Sequence, residues 1–339
     1  MNNILVYCEL DGACVADVSL ELLSKGRQLA DSLGVKLEAV ALGADVSSVP
    51  QQVFPYGADI VHLFQDERLS PYTTLPHASA VCKLIGEEQP QIFLLGATVI
   101  GRDLAPRISS ALHSGLTADC TALELGSYED KKNAVVIDNL LYSVRPAFGG
   151  NIVATIVNPY HRPQMATVRE GVMPMNKVRA DGCMRQTITH DVSDYVSASD
   201  FVVSILERHV HPAENNLKNA SVVVAGGYGM GSKENFDMLY TLAHLLHGEV
   251  GATRAAVDAG FASHDRQIGQ TGLTVRPKVY IACGISGQVQ HVSGMQDSNI
   301  IVSINNAEDA PINAIADYVI TGDVQEILPK LITFYQQKQ

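Results

Sequence analysis

Arg254, Thr271, Ser286 and His291 are the residues of this chain whose types and spacing point to chemistry. All lie between Gly251 and Asn306. That stretch reads Gly-Ala-Thr-Arg-Ala-Ala-Val-Asp-Ala-Gly from Gly251, Ile-Gly-Gln-Thr-Gly from Ile268, Ile-Ala-Cys-Gly-Ile-Ser-Gly-Gln-Val-Gln-His from Ile281 and Ile-Val-Ser-Ile-Asn-Asn from Ile301. Glycines, small hydroxyls, one guanidinium and one imidazole follow successive apolar runs. In a twisted parallel sheet such strand ends border the crevice where a cofactor lies.

Each group also has a plainer reading. The turn Gly226-Gly-Tyr-Gly-Met-Gly231 lets backbone N–H groups approach a phosphate, or serves packing alone. It lacks the clean G-x-G-x-x-G spacing and the Gly-Lys-Ser/Thr ending of a P-loop. Thr253-Arg254 offers a cation that stabilises a negatively charged cofactor, or a surface Arg. Gln270-Thr271-Gly272 offers hydrogen bonds and close backbone approach, or a polar turn. Ser286 is a cap or phosphate donor. His291 is a structural donor or an electrostatic one. Asn305 and Asp323 follow strands, as adenosine- and ribose-binding residues do, although Asp323 can equally cap a helix.

The surrounding elements explain how such groups come together. Ile4–Cys8, Val35–Leu42, Ala58–Phe64 and Ile92–Gly96 read as strands. Asp17–Leu33, Leu75–Gly86 and Arg102–Leu112 between them read as helices, the first stopped by Gly34. This alternation predicts an α/β fold with a mainly parallel sheet and flanking helices. From Thr117 the pattern changes to short β-like runs: Thr121–Leu125, Ala134–Ile137, Leu140–Val144, Ile152–Val157 and Met165–Val168. These extend the first sheet or form an arm that meets a partner. Residues 209–218, with His209, His211 and Pro212, read as a linker between domains at 1–208 and 219–339. The second domain reads as Rossmann-like. Its strands are Ser221–Gly226, Val279–Cys283, Ile300–Ile304 and Tyr318–Ile320. Its helices are Lys233–Leu246 (capped by Ser232), Gly287–His291, Pro311–Ala316 and Val324–Gln337.

Composition narrows the function class. The 339 residues suit about two domains. Trp is absent, and Val, Ile, Leu and Ala carry the apolar load, as in sheets buried on both faces. A formal charge of −12 with no Lys/Arg-rich run argues against nucleic acid. The six cysteines form no Cys-x-x-Cys pair, so reduced, buried thiols are expected rather than a metal or disulfide framework. No membrane span or targeting segment is apparent, and a cytoplasmic protein is expected.

In order and spacing these motifs resemble the α subunit of electron transfer flavoprotein. The resemblance spans nearly all of the second domain. It extends in the first to Leu95-Gly-Ala-Thr98, Gly101-Arg-Asp-Leu-Ala-Pro-Arg107, Gly115-Leu-Thr-Ala-Asp-Cys120 and Arg145-Pro-Ala-Phe-Gly-Gly-Asn151. It implies FAD in the second domain and a first domain that meets a β subunit in a heterodimer. The implied FAD contacts are Gly227, Tyr228, Thr253, Arg254, Ile268, Gly269, Gln270, Thr271, Ser286, Gly287, Gln288, Val289, Gln290, His291, Asn305, Asp323 and Val324. Thr271 would face N5, Arg254 the ring and His291 the C2 carbonyl. Many family members carry Arg where this chain has Tyr228, so phosphate neutralisation there differs.

The resemblance implies electron transfer between a dehydrogenase, or a partner flavin, and a second redox protein such as acyl-CoA dehydrogenase, the setting of fatty acid metabolism. The 209–218 linker suits an FAD domain that swings between partners. A bifurcating subtype stays open, in which NADH is oxidised in the β subunit and ferredoxin or flavodoxin receives part of the electrons. The rival readings are an NAD-dependent dehydrogenase using the Gly226–Gly231 turn and a nucleotide-binding regulatory module built on the first domain. The irregular glycine spacing and the lack of a His/Asp or Lys catalytic pair weigh against the dehydrogenase. The first domain's lack of a Gly-rich phosphate loop weighs against the module.

Overall fold

The computed structural model describes residues 2–130, 133–147, 152–178, 185–207 and 216–337. The described residues up to 207 cluster into one compact unit, and those from 216 into a second. The expected linker residues 209–215, the motif residues Phe148–Asn151, and Cys183 lie outside the described residues.

Continuous apolar runs make the centre of the first sheet. Strands β1 (Ile4–Tyr7) and β2 (Leu37–Gly43) are buried along their whole length, the pattern of strands covered on both faces. Helix α1 (Asp17–Leu33) covers one face and ends at Gly34, whose φ of 66° supplies the left-handed turn that closes a helix. Strand β3 (Ile60–Gln65), helix α2 (Thr74–Glu88), strand β4 (Ile92–Gly96) and helix α3 (Val99–Ala111) follow. Ile4, Val6, Leu22 and Leu23 form the core beneath α1, whereas Leu5, Leu84, Phe93 and Leu104 form it on the opposite face.

The β-rich stretch after residue 115 divides between two sheets. Strands β5 (Leu116–Cys120) and β9 (Gln164–Val168) extend the main sheet. The intervening β6 (Ala122–Asp130), β7 (Val135–Ala147) and β8 (Ile152–Ile156) build a separate antiparallel sheet. The extension of the first sheet therefore holds for two strands, whereas the other three stand apart from it as a sheet of their own. Strand β10 (Gln186–His190) pairs with β3 and completes the parallel order β10-β3-β2-β1-β4-β9-β5. Its polar sequence, Gln-Thr-Ile-Thr-His, lacks the apolar run of a central strand because it lies at the edge.

The second unit is a five-stranded parallel sheet. Its elements are β11 (Val222–Gly226), α4 (Lys233–Leu245), β12 (Glu249–Ala252), the short α5 (Arg254–Asp258), β13 (Val279–Cys283), the single turn α6 (Val289–Val292), β14 (Ile301–Asn305), β15 (Tyr318–Thr321) and α7 (Val324–Gln336). The expected helix at Gly287–His291 starts later, because Gly287 has φ +83°. The helix expected at Pro311–Ala316 is a 3-10 turn over Pro311–Ala314. Leu217, assigned to the linker, is 1% exposed and packs with Val223, Tyr280 and Ile301, so this unit's core begins before residue 219.

Three of the five described thiols are buried as expected and two are not. Cys8, Cys120 and Cys283 are buried, and burial pushes each thiol up to about 12. Cys14 is exposed and Cys82 half-buried. All five are free.

Candidate functional site

The strands of the second sheet lie in the order β12-β11-β13-β14-β15. Chain direction across the sheet reverses between β11 and β13, and ligands bind at such switch points, outside the carboxyl ends of the strands. A cavity of about 900 Å³ opens there. That is near the upper end of the range for ligand pockets.

Two glycine-rich loops meet backbone to backbone to form one wall. Gly227 N–H donates to Cys283 O (2.9 Å) and Gly229 N–H to Gly284 O (3.1 Å). A Cβ on Gly227 would stand 2.1 Å from Gly284 O, so no side chain fits between the loops. Gly287 pairs its positive φ with equally close packing, its notional Cβ falling 2.3 Å from Ile312 N. Helix α4 begins just beyond the turn, where Ser232 Oγ accepts from Asn235 N–H as a cap. Neither Ser232 nor Lys233 lines the cavity. The Gly226–Gly231 turn thus shapes the cavity by loop packing rather than by presenting α4 to a phosphate.

Most of the predicted residues converge on this cavity. Gly227, Tyr228, Thr253, Arg254, Ile268, Gly269, Gln270, Thr271, Ser286, Gly287, Gln288, Gln290, His291 and Asn305 all line it. Val289, Asp323 and Val324 do not. Asp323 caps α7, its Oδ1 accepting from Gln325 N–H (2.8 Å), and Val324 is 4% exposed in the core beside Met230 and Phe236.

The polar groups differ in how firmly they are held. Thr271 Oγ1 accepts from the amide of buried Gln267 (2.9 Å), which leaves the hydroxyl hydrogen free to donate. Thr253 caps α5 through Ala256 N–H. Arg254 is exposed and pairs with exposed Asp258 at 3.5 Å. Tyr228 is exposed and stacks on Phe261. Asn305 is buried, its amide donating to Ile285 O and its Oδ1 accepting from Ala307 N–H, so it fixes the loop after β13.

Known proteins match along most of the chain. Residues 4–193, over half of it, match the electron transfer flavoprotein domain. Residues 216–296 match the electron transfer flavoprotein FAD-binding domain. The chain is 45% identical over 335 residues to the electron transfer flavoprotein subunit alpha of Clostridium acetobutylicum, covering 97% of this chain and 96% of that one.

This chain belongs to the electron transfer flavoprotein α-subunit family.

Two further relatives agree in extent. Protein FixB of Clostridium saccharobutylicum is 45% identical over 331 residues, covering 97% and 95% of the two chains. The acryloyl-CoA reductase electron transfer subunit beta of Anaerotignum propionicum is 40% identical over 353 residues, covering 97% and 94%. The function of the chain is electron transfer, and its cofactor is FAD. The second unit fits that group physically. Its cavity of about 900 Å³ is large for a ligand site, its glycine wall admits close approach, and Thr271 and Arg254 present a free donor and a cation.

His291 departs from the role the resemblance implied. Its Nδ1 donates to Ile268 O (3.0 Å), and its Nε2 accepts from the buried hydroxyl of Tyr280 (2.8 Å). Both ring nitrogens are committed within the protein, so no N–H remains for the flavin C2 carbonyl. Burial lowers its pKa to about 4, and His291 is neutral at pH 7. The unfolded chain binds this proton near the ordinary value of about 6.5. The contribution of His291 to stability is therefore complete above pH 6.5. It is lost as pH falls toward 4, by up to about 3 kcal/mol. A pH series of thermal unfolding should show this acid slope, and His291→Gln should flatten it; an unchanged slope in the variant would contradict the assignment.

Other lining residues escaped sequence reading. Gln267, which positions Thr271, and Asp309, Ala310 and Pro311 after β14 are among them. Asp309–Pro311 follow a strand end, the same signal that marked Asn305.

Proposed function

We propose that the chain pairs with an electron transfer flavoprotein β subunit and relays single electrons from a dehydrogenase, or from a partner flavin, to a second redox protein. When bound, FAD supplies reversible one-electron chemistry. The residues of the cavity bind it, orient it and tune it. The observation that carries this reading is the meeting of Thr271 and Arg254 at one glycine-walled cavity on the switch point of the second sheet. In this reading Thr271 donates toward N5, Arg254 biases the ring toward its reduced charge, and the backbone around Gly269, Ser286 and Gly287 approaches the cofactor closely.

The small sheet of β6, β7 and β8 is proposed as part of the β-subunit interface. It leaves Val135, Val136 and Val153 about half to two-thirds exposed, an apolar surface that a partner would cover. The relative named as an acryloyl-CoA reductase subunit supports acyl-CoA dehydrogenases as redox partners. A cytoplasmic location accords with the absence, among the described residues, of any helix long and apolar enough to cross a membrane. Bifurcation from NADH to ferredoxin or flavodoxin is the finer form of the proposal.

Thr271→Ala should retain FAD while changing its redox behaviour at N5, with a stability loss of about 1 kcal/mol as Gln267 loses a partner. Loss of the flavin from this variant would instead make Thr271 a structural binding residue. The function is tested by the visible spectrum and flavin count of the complex with its β subunit, before and after NADH. One FAD with no reduction by NADH means a simple shuttle, and two FADs with rapid reduction mean the bifurcating form. A complex without flavin overturns the proposal.

A further inference from the structure

Glu38 on β2 and His62 on β3 are fully buried side chains of the first unit. Glu38 lies opposite Ile60 in the parallel ladder, which puts His62 diagonally beside it on the same sheet face. On each side chain one polar atom is already engaged. Asn3 donates its amide to Glu38 Oε1. His62 Nδ1 lies 2.9 Å from His190 Nε2. The remaining atoms, Glu38 Oε2 and His62 Nε2, have no hydrogen-bond partner although both are shielded from water. They face each other at 3.5 Å. The carboxylate of half-buried Glu88, at the carboxyl end of α2, lies near both, and the three atoms fall within 4.8 Å of one another.

A buried carboxylate oxygen and imidazole nitrogen 3.5 Å apart, with no hydrogen bond to either, are poorly compensated for the water they have lost. We propose that Glu38, His62 and Glu88 bind a divalent first-row transition ion, Zn²⁺ or a metal of similar preference, that clamps the end of α2 to strands β2 and β3. Ligand atoms about 2.1 Å from a tetrahedral Zn²⁺ stand about 3.4 Å apart, close to the observed Glu38–His62 separation. Glu88, the least buried of the three, would have to move its carboxylate closer to complete the site. Two carboxylates and a neutral imidazole balance the charge of a divalent cation. The neighbours have the arrangement of an outer ligand shell. His62 Nδ1 lies against His190 Nε2, and the tautomer in which Nδ1 donates across this contact leaves the Nε2 lone pair of His62 for the metal. Asn3 holds the carboxylate of Glu38. Three protein ligands would leave a tetrahedral ion one position for water.

The test uses the FAD-loaded heterodimer, stripped with chelator, dialysed and titrated with zinc chloride, with bound zinc counted by mass spectrometry after gel filtration. One equivalent is expected that Glu88→Gln and His62→Gln each weaken at least tenfold, at unchanged flavin content. Zinc should also raise the unfolding temperature of the wild type and not of the variants. Should His62→Gln fail to fold, Glu88→Gln decides alone, because its side chain is half exposed. Zinc uptake equal in wild type and variants would place the metal elsewhere and overturn the proposal. No uptake at all would also overturn it, and make Glu38 and His62 a buried ion pair. Neither result bears on the FAD cavity, whose occupancy the flavin count reports separately.

Discussion

Gly227→Ala is expected to abolish FAD retention, raising the dissociation constant on the order of a hundredfold. The new methyl group would stand 2.1 Å from the carbonyl oxygen of Gly284, well inside contact distance, and that atom belongs to the backbone. The loops after β11 and β13 must then separate by about 1 Å. A wall displaced by that much loses hydrogen bonds to the cofactor, and two charge-assisted ones at about 1.5 kcal/mol each amount to about two orders of magnitude in affinity. The hydrogen bond from Gly229 N–H to Gly284 O would break with them. The flavin-to-protein absorbance ratio after gel filtration, together with an FAD titration, reads the effect directly. Gly86→Ala is the matching control. Gly86 lies in α2 with nothing within 4 Å of a notional Cβ, so alanine there should keep the flavin and add roughly 0.5–1 kcal/mol of helix stability. Retention of FAD by Gly227→Ala would mean that the contact between the two loops does not shape the site.

Arg254→Ala is expected to lower the flavin midpoint potential by several tens of millivolts. Loss of a cation at the cavity removes an attraction that favours the negatively charged reduced cofactor, and a pair interaction of about 1 kcal/mol or more corresponds to such a shift. Fold stability should hardly change. Arg254 and Asp258 are 71% and 67% exposed, and an exposed i,i+4 pair contributes only about 0.5 kcal/mol. Arg254→Lys should recover most of the potential, since charge rather than planar geometry carries the effect. A redox titration with unchanged midpoints would remove Arg254 from the tuning role.

Particular residues show what the sequence reveals and where it falls silent. Asp17–Leu33 and Ile92–Gly96 are found at their observed limits, because an amphipathic period closed by Gly34 and an uninterrupted apolar run are local signals. Strand β10 is missed because its edge position asks for no apolar run, and α5 because five residues leave no period to detect. The site follows the same division. Strand ends carrying Gly, Thr and Ser mark the cavity, since sheet topology turns every strand end toward one crevice. The state of His291 depends on Tyr280 and on the carbonyl of Ile268, which only the folded chain brings to its ring. Asp323 shows the converse case, in which the local capping signal is the whole of its observed role.

An experimental structure of the FAD-loaded heterodimer is the most direct test of the site. The cofactor is expected in the cavity at the carboxyl ends of β11 and β13, with Thr271 and Arg254 beside its ring system and the Gly227–Gly284 contact intact. A complex fully loaded with flavin whose FAD lies elsewhere, with this cavity filled only by solvent, would contradict the assignment.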